Sequence, residues 1–415
     1  MSGPDVTQIT ALLDEFRPGR SIYIQGGVGE PLALRTILAS APEVLKGVML
    51  TSCLLPGMNE FDYASLHPEA RLTTFMLPAA SRDSFKTGRV EVRPMAYSQI
   101  AAYLAAASFD LAIFQVSLPD EDGWCSFGPC ADFPEIVFHK AHRRAAFVNS
   151  RLPRVVRGPR VRLEAIDLAV EAPGPFITAA EDIPGRDLRA IAGLVAGLVP
   201  DGAAIQTGIG GAPAAVVSSL NHHRRLTVRS GMVTAGYQAL AESGALMQGG
   251  GHITGLAIGS EAFMTWAAEA FTFADARTTH GAESLASTPR FTAINSALEV
   301  DLFGQVNLEW REGRLFGGLG GAPDFARAAA RSSGGRAILA FPSTAREGSI
   351  SRIVPRLSGP TISLPRDDAD LIVTEEGVAD LRGASTEERA RRLIAVAAPS
   401  HREALARAWA GMKPS

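Results

Sequence analysis

One six-residue segment of this chain occurs twice. Ile24-Gln25-Gly26-Gly27-Val28-Gly29 returns as Ile205-Gln206-Thr207-Gly208-Ile209-Gly210, with Gln25 and Gln206 separated by 181 residues. A second pattern, Ser117-x-x-Asp120-x-Asp122, returns as Ser296-x-x-Glu299-x-Asp301 at an offset of 179. Two different motifs at nearly one offset point to an internal duplication, so the chain is expected to fold as two similar halves. The proline-rich stretch from Glu171 to Pro184 is the natural join. The expected domains are therefore 1–178 and 179–415. A length of 415 residues agrees, because a single core stops growing at roughly 250–300 residues.

Within each half, strand-like apolar runs alternate with alanine-rich helical stretches. The runs are SIYIQ (21–25), DLAIFQVS (110–117), AAFVN (145–149), AAIQ (203–206), RAILAF (336–341) and DLIVT (370–374), with helices expected over 31–40, 213–220, 237–243, 323–333 and 386–397. That alternation predicts α/β structure: two open α/β domains with mostly parallel sheets. Net charge is −3, which gives no basic face for a nucleic-acid partner. No apolar run reaches the roughly 20 residues of a membrane span, and the N-terminus lacks the layout of a signal peptide. A cytoplasmic protein is expected. Three cysteines, Cys53, Cys125 and Cys130, are too few and too scattered for a disulfide frame or a zinc site, so no metal is expected.

Both copies of the repeat place a glycine turn after a strand and before a helix. Glycine allows close approach of backbone N–H groups to an anion, and a helix N-terminus adds partial positive charge. A tight structural turn reads equally from the same residues. Neither loop is a dinucleotide fingerprint: the first lacks its third glycine and the second closes early at Pro213. A third cluster, Gly317-Gly318-Leu319-Gly320-Gly321-Ala322-Pro323, also opens a helix and suits an oxyanion hole, a lid or a flexible turn.

Longer segments carry a family resemblance. QVSLPDEDGWCSFG (115–128), GIGGAPAAVVSSL (208–220), INSALEVDLFGQVN (294–307), GGLGGAPDFARAAARSSGG (317–335), PSTAREGSISRIVPRL (342–357) and VTEEGVADLRGASTEERARRLIAVAAP (373–399) run in order along the chain and resemble the acetyl-CoA hydrolase/transferase family. That family belongs to the class I CoA-transferases, and the resemblance implies their fold: two similar open α/β domains with the active site between them. It also implies chemistry on acyl-CoA thioesters, with coenzyme A as part of the substrate and no permanently bound cofactor. Typical members use a glutamate that forms an acyl anhydride, then a glutamyl-CoA thioester, and finally passes CoA to a carboxylate. Their glutamate lies in a segment reading like LGIHTEMFSDG.

Here the aligned residues are Leu226-Thr227-Val228-Arg229-Ser230-Gly231-Met232-Val233-Thr234-Ala235-Gly236. Gly231 stands where the resemblance places the glutamate, and Arg229-Ser230 replace the usual His-Thr. Glycine cannot form an anhydride. Its missing side chain is expected to enlarge the acyl pocket, and Arg229 to pair with a substrate carboxylate or to end a strand at the surface. Glu299, on the apolar stretch INSALEV, is the first alternative acid by position, desolvated as a general base or holding a loop. Asp120 with Glu121 and Asp122 is its counterpart in the first half, or a solvated turn. His280, in the polar patch Arg277-Thr278-Thr279-His280-Gly281, suits proton transfer. By resemblance, Ser343 and Arg352 are CoA contacts, and Gly208, Gly210, Gly211, Gly318, Gly320 and Gly321 are oxyanion or CoA-binding positions.

Three functions follow. The first is thioester hydrolysis, or another reaction on a CoA ester without a glutamyl-CoA intermediate. The second is CoA transfer to a small carboxylate using a different acid such as Glu299. The third is non-catalytic binding of an acyl-CoA or sugar phosphate. A homodimer or homotetramer is expected, with neither nucleic-acid nor membrane partners.

Overall fold

The computed structural model of the chain describes residues 6–179 and 186–412. The chain divides into two compact units. One comprises Met1–Ala180 with Ile253–Thr279, the other Glu181–His252 with His280–Ser415. The join at Glu171 to Pro184 lies partly outside the described residues.

The first unit is built on a seven-stranded sheet in the spatial order Val90–Val92, Arg71–Thr74, Met49–Thr51, Ser21–Ile24, Phe109–Val116, Ala141–Val148, Leu168–Glu171. Every neighbouring pair is parallel. Phe109–Val116 is buried on both faces except at Asp110, which is why it reads as a continuous apolar run. The excursion Ile253–Thr279 joins this unit through strand Ile253–Ile258, whose Gly255 carbonyl accepts from Ala131 N–H (2.8 Å) while Ala257 N–H donates to the Pro129 carbonyl (3.0 Å).

The second unit repeats the order. Thr227–Thr234, Ala204–Thr207, Phe291–Asn295, Arg336–Ala340 and Leu371–Thr374 lie side by side, with Gly377–Asp380 closing the edge as an antiparallel hairpin strand. In each unit the strand before the glycine loop has its sequence successor on one side and a much later strand on the other. That is the reversal of strand order outside which open α/β sheets bind ligands. The α/β class, the parallel sheets and the strand and helix segments named above were legible in the sequence; Ala204–Thr207 and Gly211–Ser219 are shifted by one or two residues, and Ala141–Val148 begins four residues before the expected 145. Among the described residues, no helix is long and apolar enough to cross a membrane.

The two offsets, 179 and 181, have a structural cause. Within the sheets, Ile24 pairs with Ile113 and Ile205 pairs with Thr292, so the later strands correspond at an offset of 179. Beyond them the equivalence is 181. Asp120 accepts from the N–H groups of Asp122 (3.1 Å) and Trp124 (2.8 Å), and Asp301 accepts from those of Phe303 (3.1 Å) and Gln305 (2.9 Å). Each turn then closes on a left-handed glycine, Gly123 at φ 80° and Gly304 at φ 90°. Asp120 therefore corresponds to Asp301, not to Glu299, and SLPD (117–120) corresponds to SALEVD (296–301) with two residues inserted. The INSALEV stretch is not one strand: it breaks after Asn295, and Glu299–Asp301 starts a separate small sheet with Val306–Asn307 and Ile353–Val354.

Candidate active site

Strand Thr227–Thr234 carries Arg229, Ser230 and Gly231. Ser230 faces inward, fully buried, and its hydroxyl donates to the Met232 carbonyl (2.6 Å). Gly231 faces the other way, against His280. A Cβ at Gly231 would lie 2.7 Å from His280 Cε1 and 2.8 Å from Nε2. Gly321 meets the same ring: its Cβ would lie 2.4 Å from Nε2 and 2.8 Å from Phe325 Cε2. The imidazole thus occupies the space a side chain at 231 would need, closed in by two glycines and by the Phe325 ring, with centroids 4.5 Å apart.

The local sequence explains how this arises. Pro323 and Asp324 start helix Ala322–Arg331, whose inward face of Phe325, Ala326, Ala328 and Ala329 packs into the core. That packing fixes Phe325 under His280 and sets the glycine cluster at the head of the helix. His280 is not in a polar patch, as its sequence neighbours suggested, but 3% exposed, and burial lowers its pKa to about 3. The ring is therefore neutral at any working pH. The expected enlargement of the pocket at Gly231 is overturned for the same reason: the vacated volume is filled.

The second glycine loop is held tightly. Gly208 N–H donates to the Ile294 carbonyl (2.8 Å), and a Cβ there would strike Asn295 Oδ1 at 2.5 Å. Asn295 is locked by reciprocal amide hydrogen bonds to Gln206 (3.1 and 3.2 Å). Gly210, at φ 125°, caps the helix that begins at Gly211, a conformation that favours glycine. In the third cluster a Cβ at Gly317 or Gly320 would meet nothing within 4 Å, so this loop has open space beside it.

The remaining candidates lie in hydrogen-bonded positions. Glu299 accepts from Asn307 Nδ2 (3.2 Å) and Ser358 Oγ (3.2 Å). Arg352 donates from Nε to the Leu298 carbonyl (3.1 Å) and from Nη2 to that of Ala297, and its guanidinium stacks over Phe341 (5.2 Å). Of these two carbonyls, that of Ala297 belongs to the inserted pair Ser296–Ala297, because the Leu298 N–H bond to the Asn307 carbonyl (2.9 Å) is the counterpart of the Ser117 N–H bond to the Ser126 carbonyl (2.8 Å). Burial, then the charge of Arg311, lowers its pKa to about 10. Ser343 is fully buried, and both its N–H (2.8 Å) and its hydroxyl donate to the Glu375 carboxylate. Asp120 holds its turn, where the Trp124 N–H keeps its carboxyl below the usual range. Glu375, hidden in the acidic pair of VTEEGV, and Phe325 carried no distinguishing signal in the sequence.

The first unit has a buried polar cluster that sequence reasoning missed. Cys130 Sγ donates towards the Gly26 carbonyl and Asp132 Oδ1, both at 3.6 Å, and Phe133 N–H reaches the same carboxyl oxygen (2.9 Å). Burial raises the Asp132 pKa to about 7, opposed by hydrogen bonds from the Phe133 N–H, Cys130 and Tyr97. Folded protein thus retains a proton that the unfolded chain, titrating near 3.9, has released. The resulting stability is complete below about pH 4 and is lost as pH rises to 7. Asp132→Asn is expected to be more stable than the parent at pH 8 by about 2–4 kcal/mol, with the difference shrinking toward pH 4. Denaturation midpoints across that range check this, and parallel curves would refute it.

Comparison with known proteins agrees with this architecture. Residues 6–173 match the acetyl-CoA hydrolase/transferase N-terminal domain and residues 259–409 the C-terminal domain. A 4-hydroxybutyrate coenzyme A transferase of Clostridium kluyveri is 31% identical over 392 residues, covering 91% of each chain. An acetyl-CoA hydrolase of Saccharomyces cerevisiae is 41% identical over 103 residues, 25% of this chain and 19% of that protein. Among solved structures, RipA from Yersinia pestis superposes with a TM-score of 0.89 at 27% identity, covering 97% of this chain and 99% of its own. These matches make the protein an enzyme that processes acyl-CoA, of the hydrolase or CoA-transferase type. The chain belongs to the acetyl-CoA hydrolase/transferase family.

Proposed function

We propose that this enzyme acts on an acyl-CoA without a glutamyl-CoA intermediate, hydrolysing the thioester to the free acid and CoA. The observation that carries this reading is the His280 imidazole standing in the side-chain space of residue 231. With that space filled and Gly231 bare, the position offers no nucleophile. Water is then the attacking group: its oxygen bonds to the acyl carbon, the C–S bond breaks, and CoA leaves as the thiol after taking a proton. A neutral imidazole can hydrogen-bond at the reacting carbonyl without repelling an anionic ligand, and the N–H groups of the Gly318–Gly321 loop are the oxyanion donors in this reading. Coenzyme A enters as part of the substrate. Glu299, Asp120, Ser343 and Arg352 shape the surroundings through the bonds described above. The working form is proposed to be a cytoplasmic homodimer or homotetramer, which sedimentation would measure.

The test is to incubate the chain with a panel of acyl-CoAs, with and without acetate or succinate. Thiol release at a rate independent of added carboxylate is expected. Carboxylate-dependent exchange, with CoA trapped on a glutamate such as Glu299, would show instead that transfer has moved to another acid. Tight binding with no turnover would leave only a ligand-binding role.

A further inference from the structure

We infer that the hairpin Trp310–Leu315 binds a phosphate group, and that the phosphate it receives is the 3′-phosphate at the nucleotide end of the CoA substrate. This rests on the acyl-CoA reading above and adds a second anchor point for the same ligand. Strands Trp310–Arg311 and Arg314–Leu315 pair antiparallel, with Arg311 opposite Arg314. The turn between them is Glu312-Gly313, both residues left-handed at φ 51° and 72°, as a type I′ turn requires. That turn fixes the register. The two arginine side chains therefore leave the same face of the hairpin, with Cβ atoms about 5 Å apart.

Like charges placed directly opposite each other destabilise an antiparallel pair. Here no counter-ion offsets them: among the described residues, neither guanidinium makes a hydrogen bond or an ion pair. Arg311 instead stacks over the Phe316 ring, 5.0 Å from its centroid. The acid in the turn is turned elsewhere, since Glu312 pairs with Arg346. Glu309 is bonded to Ser363 (2.8 Å), and Glu299 to Asn307 and Ser358. The charge of Arg311 is also felt by the Arg352 guanidinium, where it adds to burial in lowering the pKa. Two guanidinium forks held side by side without a carboxylate, one of them braced on an aromatic ring, match the several acceptor oxygens of a phosphate. The position suits the same ligand. Phe316, 41% exposed, leads from the hairpin into Gly317, beside which space is open. Four residues separate Arg314 from Gly318, at most about 14 Å of extended chain. The oxyanion donors of the proposed reaction begin at Gly318, so thioester and hairpin lie within the reach of one CoA molecule.

CoA and 3′-dephospho-CoA make the test pair, compared by calorimetric binding as free thiols and by turnover as acetyl esters, with the full chain. The parent is expected to bind CoA about 10-fold more tightly than 3′-dephospho-CoA. In the double variant Arg311→Gln with Arg314→Gln the two affinities should come within about two-fold of each other, through loss with CoA alone. Melting temperatures check folding, and removing a like-charge pair should not lower them. Equal binding of the two thiols by the parent, or a preference that survives in the double variant, would overturn the assignment. Inorganic phosphate is the third probe: if the variant loses competition by phosphate but keeps its preference for CoA, the hairpin serves a free phosphate and the assignment to CoA is overturned. Discrimination in binding without turnover would strike the hydrolytic reading and leave this one standing. Failure of the parent to bind either thiol would strike the acyl-CoA reading itself, and this inference with it.

Discussion

The double substitution Gly231→Glu with His280→Ala is expected to give a CoA transferase. Carboxylate-dependent exchange between acyl-CoA and acetate should rise at least about 10²-fold over the parent, because a carboxylate nucleophile is restored and given room. Mass spectrometry should find CoA attached to the introduced carboxylate. Neither single change should do this. Gly231→Glu alone drives its Cβ to within 2.7–2.8 Å of a buried ring. His280→Ala alone leaves a cavity that costs about 2–3 kcal/mol and supplies no nucleophile. The two substitutions are in contact, so their effects should be far from additive. If Gly231→Glu alone exchanges CoA as fast as the double variant, the imidazole does not obstruct the position and the account of the site fails.

Within one glycine loop, two alanine substitutions should behave oppositely. Gly321→Ala is expected to destabilise the protein by about 3 kcal/mol, through overpacking against both His280 and Phe325, and to abolish thiol release. Its backbone, φ −90° and ψ −6°, suits alanine, so the cost is steric alone. Gly317→Ala meets nothing within 4 Å and should change stability by no more than about 0.5–1 kcal/mol. Urea denaturation of the two proteins separates the cases. Equal losses would mean that the loop tolerates side chains according to its mobility and not its contact with His280.

The duplicated α/β fold was legible because strand runs such as DLAIFQVS are buried on both faces and keep a continuous apolar signature. The glycine loops were legible for a related reason: a residue such as Gly210, at φ 125°, leaves a mark in the sequence wherever the backbone needs it. The site was less legible because its contacts join distant residues. Nothing around Thr279 or Gly281 reveals that His280 is buried under glycines 49 residues before and 41 after it. The register of the acids misled for a different reason. SLPD and SALEVD differ by an inserted dipeptide, and matching by residue type paired Asp120 with Glu299, whereas the turn hydrogen bonds pair it with Asp301. Arg352 shows the same limit: its sequence context resembles a ligand-binding segment, yet its donors reach the carbonyls of Ala297 and Leu298.

The overlap at Gly231 also affects how related sequences should be read. A side chain at that position would collide with the imidazole at 280, so the two positions are expected to vary together. A relative with a large residue aligned at 231 should carry something smaller than histidine at 280, so neither column can be read without the other.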